Sequence, residues 1–267
     1  VHTDYTPASE YLELFESDYT GNIDGTTDTM NKIIHGEIQP TKEDIDHIVA
    51  LYDAEIRQLD AALATFFQAL EQKDLLSNTV IIIAADHGEE FLDHGNMLHG
   101  ATLYDEAIRV PLILVGPDIA GGRRIHRQVE LLDILPTITE FCNADPPPDI
   151  AGESLVPILN REHALPNEPA FAEVDHKNEE IFKRVVRTNQ YKLYYDKFSG
   201  REELYDIQAD PAERSNIAPN EPQALKRLRK QLQKWMKENV KKAEPTEIVL
   251  TEEEKEISLD ELFQEDG

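Results

Sequence analysis

Cysteine is almost absent. Cys142 is the only one in 267 residues, which excludes an intrachain disulfide framework and any zinc site built from several thiolates. Long apolar runs are absent as well: no stretch of eighteen apolar residues exists, so no transmembrane helix is encoded. Basic residues are scarce beside acidic ones. Lys and Arg number 26 against 53 Asp and Glu, a formal net charge of -27. A chain this acidic repels polyanions, and general nucleic-acid binding is not expected. The acidic excess suits cation binding, solubility or a salty setting and does not choose among them. Core-forming residues are present in ordinary amount. With 40% hydrophobic and 30% charged residues, the chain reads as globular, long enough for one large domain or two smaller ones. No signal peptide opens it, and Val1 is read as lying downstream of any leader.

Residues 1–40 mix aromatics with Gly21, Gly25, Gly36 and Pro7 and read as loops with short helices. From Thr41 the pattern changes. Ile45, Ile48, Val49, Tyr52, Ile56, Leu59, Leu63, Phe66, Phe67 and Leu70 recur at helical spacing, behind Pro40 and a candidate N-cap at Thr41. The run Thr79–Ala85 is β-branched and apolar on both faces. It reads as a central parallel strand covered on both sides. Val110–Val115 reads as a second buried strand, and 129–142 as a helix with a possible kink at Pro136. Helix–strand alternation argues α/β. Beyond the prolines at 146–148 and the segment 163–169, short strand candidates follow: Ala170–Val174, Arg184–Thr188, Tyr191–Tyr195 and Glu203–Ile207. They predict a small antiparallel sheet. A helix follows with Leu225, Leu228, Leu232, Trp235 and Met236 on one face. Residues 244–267 carry ten acidic side chains and one lysine and read as a disordered or loosely docked tail. The expected division is 1–165, 166–243 and 244–267.

The chemistry concentrates in Asp86-His87-Gly88-Glu89-Glu90-Phe91-Leu92-Asp93-His94-Gly95-Asn96-Met97-Leu98-His99-Gly100. Three histidines, three glycines and four carboxylates share fifteen positions. Asp86 and His87 stand where the apolar strand should end, and open α/β sheets bind ligands beyond the carboxyl ends of their strands. A carboxylate oxygen and an imidazole nitrogen are good donors to a divalent cation. The glycines permit tight turns and close approach to a ligand.

These residues resemble the second half of a sulfatase, in the alkaline phosphatase superfamily. The resemblance runs from Asp86-His87-Gly88-Glu89 through Asp93-His94-Gly95, His99-Gly100, Leu103-Tyr104-Asp105-Glu106 and Arg109-Val110-Pro111-Leu112-Ile113. It continues at Leu132-Asp133-Ile134-Leu135-Pro136-Thr137, Gly152-Glu153-Ser154-Leu155, Tyr191-Lys192-Leu193, Glu203-Leu204-Tyr205-Asp206, Asp210-Pro211-Ala212-Glu213 and Asn216. It implies part of a mixed, mostly parallel sheet flanked by helices, alkaline-phosphatase-like, plus a C-terminal antiparallel sheet with a helix. It implies that Asp86 and His87 are metal ligands, for calcium first, with manganese or magnesium open. His99, thirteen residues after Asp86, stands where the family often has a lysine that contacts the sulfate. His2, in Val1-His2-Thr3-Asp4-Tyr5-Thr6-Pro7, matches the family's histidine that contacts the ester and helps protonate the leaving oxygen. Asp4 stands where the family usually has a proline.

The resemblance also implies a formylglycine nucleophile, made from a Cys/Ser-x-Pro-x-Arg segment, and an N-terminal Asp pair. Neither motif occurs in this sequence. The expectation is that a missing upstream segment or a companion chain supplies them, and that residues 1–267 alone are inactive. The implied activity is hydrolysis of a sulfuric ester, releasing sulfate from a sulfated small molecule or sulfated glycan. The family setting favours a periplasmic or secreted location. Two alternatives stand: a phosphate or phosphonate ester hydrolase of the same superfamily, or an inactive binding fragment. The remaining features take structural readings. Cys142 is expected to be a buried thiol. Arg109 is expected to pair with Glu106 or Asp105 and hold the loop. His126, His163 and His176 are expected at the surface. Tyr194, Tyr195 and Tyr205 are expected to pack in the sheet. Lys226, Arg227, Arg229, Lys230, Lys234 and Lys237 are expected to form a solvated helix face.

Overall fold

The structure, a computed structural model, describes residues 1–16, 18–160, 168–176 and 181–242. The acidic stretch 244–267 and His163 lie outside the described residues. The N-terminal stretch folds as expected into loops with two short helices, α1 (Ser9–Leu12) and α2 (Thr27–Ile34). The long helix is α3 (Lys42–Gln72). Thr41 caps it: its side chain accepts from the Asp44 amide while Asp44 reaches back to the Thr41 amide, a full capping box. The apolar stripe of its first half buries Ile48, Leu51 and Ala54 against Tyr5, Met30, Ile33 and Met97. Each such side chain taken fully out of water stabilises by about 1.5–3 kcal/mol. Further along, Ile56, Leu59 and Phe66 of α3 are exposed.

After α3 comes β1 (Ile81–Ala84), then a minimal hairpin of β2 (Glu90–Phe91) and β3 (Met97–Leu98), then α4 (Asp105–Ile108) and β4 (Leu112–Val115). β1 pairs with β4 antiparallel, with Ile82 opposite Leu114. The parallel reading of β1 is therefore corrected for this neighbour alone: among the described residues β4 runs the other way, within the mixed sheet that was expected. A run apolar on both faces reports burial on both faces, not the direction of the strand beside it. A mixed α/β sheet accommodates such a pair. Ile113 and Val115 on β4 are 51% and 54% exposed, so this strand pair presents apolar surface to solvent.

The helix expected over 129–142 begins later. Residues Leu131–Asp133 form a 3₁₀ turn, and α5 spans Ile134–Phe141. Pro136 does not kink it. It sits in the first turn, where its missing N–H breaks no helical hydrogen bond. Cys142 is corrected as well: it is exposed. It forms the C-cap of α5, past the last turn that could have carried it inward. The short helix α6 (Val156–Leu159) follows.

The C-terminal part is a four-stranded antiparallel meander of β5 (Ala170–His176), β6 (Ile181–Arg187), β7 (Tyr191–Asp196) and β8 (Arg201–Asp206), followed by α7 (Pro222–Lys242). Successive side chains of a strand point to opposite faces, and here both faces are used. Val186, Leu193 and Leu204 pack on Ala224, Leu228 and Leu232 of α7. Val185, Tyr194 and Tyr205 pack on Leu103 and Tyr104, just before α4. The sheet thus serves as a backing plate for the loop that follows the histidine-rich segment.

Candidate functional site

Four side chains from three places in the sequence meet beyond the C-terminal end of β1. The His87 and His99 rings stack with centroids 3.9 Å apart. The His2 ring stands edge-on to both, 5.2 Å from His99 and 6.4 Å from His87. Asp86 Oδ2 lies 3.7 Å from His87 Nε2. All four residues singled out in the sequence are brought together.

Each is held by local devices. Gly88 has to be glycine: a Cβ there would stand 1.9 Å from the Glu106 carbonyl oxygen. Its own N–H donates to Ala107 O at 2.8 Å, and the Glu89 N–H donates to Glu106 O at 3.0 Å. The strand end is thereby pinned to the α4 turn. The β2–β3 hairpin folds the chain back, with Glu90 opposite Leu98, and so delivers His99 to His87. Gly100, at φ +86°, turns the chain away again in a region where L side chains are disfavoured. His2 is placed by its neighbours. The Tyr5 N–H donates to Gly25 O at 2.8 Å, and Asp4 Oδ1 accepts from the backbone and hydroxyl of Thr27 at 2.5 and 2.6 Å. Asp4, which departs from the resembled family's proline, thus has a structural task at the first turn of α2.

Asp86 is an open donor. Its side chain is 90% exposed. A hydrogen bond from its own backbone amide, and then the nearby His87, hold its carboxyl below the usual carboxylate range. His87 Nδ1 lies 2.8 Å from Gly88 O, so the proton sits on Nδ1 and Nε2 offers its lone pair on the Asp86 side. The 3.7 Å gap between Asp86 Oδ2 and His87 Nε2 exceeds hydrogen-bonding distance. A carboxylate oxygen and an imidazole lone pair on the same side are donors that would suit a divalent cation, which would supply positive charge there. The pair therefore fits as part of a metal site. Among the described residues no group of three or more His, Cys, Asp or Glu could hold a metal by itself.

The site opens into a hollow of about 450 Å³, lined by Asp86, His87, His99, Arg109 and apolar residues including Leu131 and Phe171. Arg109 departs from expectation. Glu106 is taken by His94 Nδ1, and Asp105 by Arg187 at 2.8 Å and Lys192 at 3.0 Å. Arg109 lines the hollow instead, with no ion pair among the described residues. Those partners form a support that sequence reading missed. Lys192 Nζ lies 2.9 Å from Glu213, both side chains fully buried, and Glu213 Oε2 accepts from the Asp105 amide at 2.6 Å. Burial pushes the Asp105 carboxyl up, but Arg187 and Lys192 outweigh it and hold it below the usual range. The other missed residues are Glu89 and Tyr5. Glu89 Oε1 is 2.9 Å from His99 Nδ1, and Tyr5 OH donates to Glu89 Oε2 at 2.5 Å. Glu89 belongs to the 86–100 motif, but nothing local marks its partners.

Glu90 contrasts with Glu89. It is fully buried, and neither carboxylate oxygen has a hydrogen-bond partner among the described residues. Burial pushes its carboxyl above the usual range, the nearby Glu106 carboxylate adds to that, and His94 and Lys183 offset only part of it. A raised folded-state value means the stability contributed by the protonated form is fully present below the unfolded value and is lost as pH rises through the folded one. Glu90→Gln is therefore expected to stabilise at neutral pH by about 1–3 kcal/mol. The gain should shrink towards zero in acid. Urea unfolding at two pH values checks this; an equal effect at both would show that Glu90 is not the titrating group.

Comparisons with known proteins place the chain in a family. The family model described as Sulfatase matches residues 2–144, and that described as N-sulphoglucosamine sulphohydrolase, C-terminal, matches 93–242. Arylsulfatase K of Canis lupus familiaris is 34% identical over 201 residues, 72% of this chain and 37% of the relative. Arylsulfatase K of Homo sapiens is 33% identical over 192 residues, 68% of this chain and 36% of the relative. Among solved structures, a 2-O GAG sulfatase superposes with TM-score 0.71 at 28% identity, over 79% of this chain and 46% of that one. The phosphonate monoester hydrolase of Agrobacterium radiobacter gives TM-score 0.64 at 27% identity, over 75% and 43%. The chain thus spans under two fifths of the length of these curated relatives.

Proposed function

The chain belongs to the sulfatase family, and from that premise we propose that it forms the second half of the catalytic site of a sulfuric ester hydrolase. The observation that carries the proposal is the convergence of Asp86, His87, His99 and His2 beyond the end of β1. Asp86 and His87 would hold a divalent cation, calcium first and manganese or magnesium as alternatives. When bound there, the cation supplies positive charge to the sulfate oxygens. His2 and His99 flank that position with ring nitrogens. His2 Nδ1 lies 2.9 Å from Thr3 O and donates its proton there, so Nε2 is the atom free to meet the ester; as imidazolium the ring carries on Nε2 the proton it would hand to the departing alcohol. Arg109, which lines the hollow, would meet a second anionic group of the substrate.

The sequence holds no Cys/Ser-x-Pro-x-Arg segment, and the formylglycine nucleophile is assigned to chain outside residues 1–267. The apolar surface of β4 and of the 131–138 segment suits coverage by such chain. The substrate class proposed is a sulfated glycan or smaller sulfated molecule, in line with the 2-O GAG sulfatase among the similar structures. A periplasmic or extracellular setting is proposed on the same family grounds. No helix of the described residues is long and apolar enough to cross a membrane. The similarity to a phosphonate monoester hydrolase favours a second reading, phosphonate or phosphate ester hydrolysis at the same site.

The test is an aryl ester assay with added calcium. Residues 1–267 alone are expected to give no turnover, and the protein that also carries the formylglycine segment is expected to cleave the sulfate ester in preference to the phosphonate. Turnover by the 267-residue chain would mean that it contains its own nucleophile. Preference for the phosphonate would establish the second reading.

A further inference from the structure

We propose that Glu89 is a positioning residue for His99, fixing which ring nitrogen faces the ester, and that Tyr5 holds Glu89 in place for that task; the proposal rests on the sulfatase reading of the site. Glu89 is buried, its side chain 3% exposed. A carboxylate so placed needs partners for both oxygens, and it has them. Oε2 accepts from Tyr5 OH at 2.5 Å, and Oε1 is 2.9 Å from His99 Nδ1. Tyr5 is anchored independently. It is 1% exposed, stands edge-on to Tyr52 at 5.5 Å and Phe91 at 6.2 Å, and its backbone is tied to Gly25. The Glu89 backbone is tied to Glu106. The carboxylate is thus fixed at both ends before it meets the imidazole.

The histidines of the segment show what this does. His94 is closed. Its Nδ1 is taken by Glu106, its Nε2 lies 3.1 Å from Glu213 O, and its ring stacks on Tyr104 at 3.7 Å. Both nitrogens are spent, and the ring is structural. His99 also has a carboxylate behind Nδ1, but its Nε2 has no partner among the described residues and the ring lines the hollow. The stack on His87 at 3.9 Å fixes the ring plane, and Glu89 fixes the rotation within it. With Nδ1–H committed to Glu89, any proton exchanged with a substrate oxygen resides on Nε2.

The isosteric variant Glu89→Gln makes this testable. The Tyr5 hydroxyl donates to position ε2, so the glutamine carbonyl would turn to Tyr5 and its NH₂ to His99. His99 Nδ1 would then accept, and the proton would move to Nε2. In the ¹⁵N-labelled intact protein, a long-range ¹H–¹⁵N spectrum should show His99 as the Nδ1–H form. Glu89→Gln should show the Nε2–H form. Adding Tyr5→Phe frees the amide to flip and should restore Nδ1–H in part. In the enzyme with its nucleophile, Glu89→Gln should lower kcat by about 10²-fold with a smaller change in KM. The same substitution in a His99→Ala background should add less than about 3-fold. An Nε2–H or mixed form in the unaltered chain would overturn the proposal, as would an undiminished effect of Glu89→Gln without His99. The expected spectra with no sulfate-ester turnover by the unaltered enzyme would support the positioning and overturn only the sulfatase reading.

Discussion

Asp86→Ala is expected to lower kcat/KM for sulfate-ester hydrolysis by the intact enzyme at least about 10³-fold, roughly 4 kcal/mol of transition-state stabilisation, while leaving the fold unchanged. The two halves of that expectation have separate causes. The Asp86 side chain is 90% exposed and supports no packing, and surface substitutions away from special features change stability by no more than about 0.5 kcal/mol. Its charge is what counts. Among the described residues it is the carboxylate that lies beside His87 Nε2, and its surroundings favour the ionised form. Metal content by mass spectrometry should fall together with activity, and the thermal midpoint should not move. Unaltered metal content and rate would remove Asp86 from the site. His87→Ala is a less clean experiment, because it also takes away the ring on which His99 stacks.

Lys192→Met is expected to destabilise the protein by about 3–5 kcal/mol, because it strips the counter-charge from two buried carboxylates. Lys192 is completely buried. Its ammonium lies 3.0 Å from Asp105 and 2.9 Å from Glu213. Methionine fills a similar volume but leaves Glu213 with no cation and Asp105 with Arg187 alone. The loss should be pH-dependent, smaller in acid where the stranded carboxylates can protonate. Adding Glu213→Gln to Lys192→Met should recover part of it, since the amide carries no charge to strand. Denaturant midpoints of the three proteins decide the matter. A loss below about 1 kcal/mol for Lys192→Met would show that water reaches this cluster. The effect should extend to the site, because Asp105 begins α4 and the turn of α4 receives the Gly88 and Glu89 amides.

Features encoded within a few residues of one another are legible in the sequence. The Thr41–Asp44 capping box and the apolar stripe behind it predict α3, because a helix is specified by neighbours three and four residues apart. The period-two strands of the C-terminal sheet are readable for a similar reason, although their ends differ by a few residues from the expected ones. The motif at 86–100 declares itself through composition and place, after an apolar strand. Asp86 and His87 are adjacent in the chain, so their proximity is assured.

The direction of β4 beside β1 is not legible in the same way, nor is the exposure of Cys142 or the freedom of Arg109. The last case shows why. Asp105 and Glu106 are the nearest carboxylates in sequence, and a local reading pairs them with Arg109. In the folded chain they are claimed by Arg187, Lys192 and His94, residues that only sheet formation and hairpin closure bring near. Tyr5 and Glu89 lie 84 positions apart, and no periodicity links them. Sequence alone determined the elements, the family resemblance and the residue types available for chemistry. The tertiary structure decided which nitrogen of each histidine is spent and which is open, because that depends on long-range partners for buried polar groups, and such partners are chosen by packing rather than by spacing along the chain.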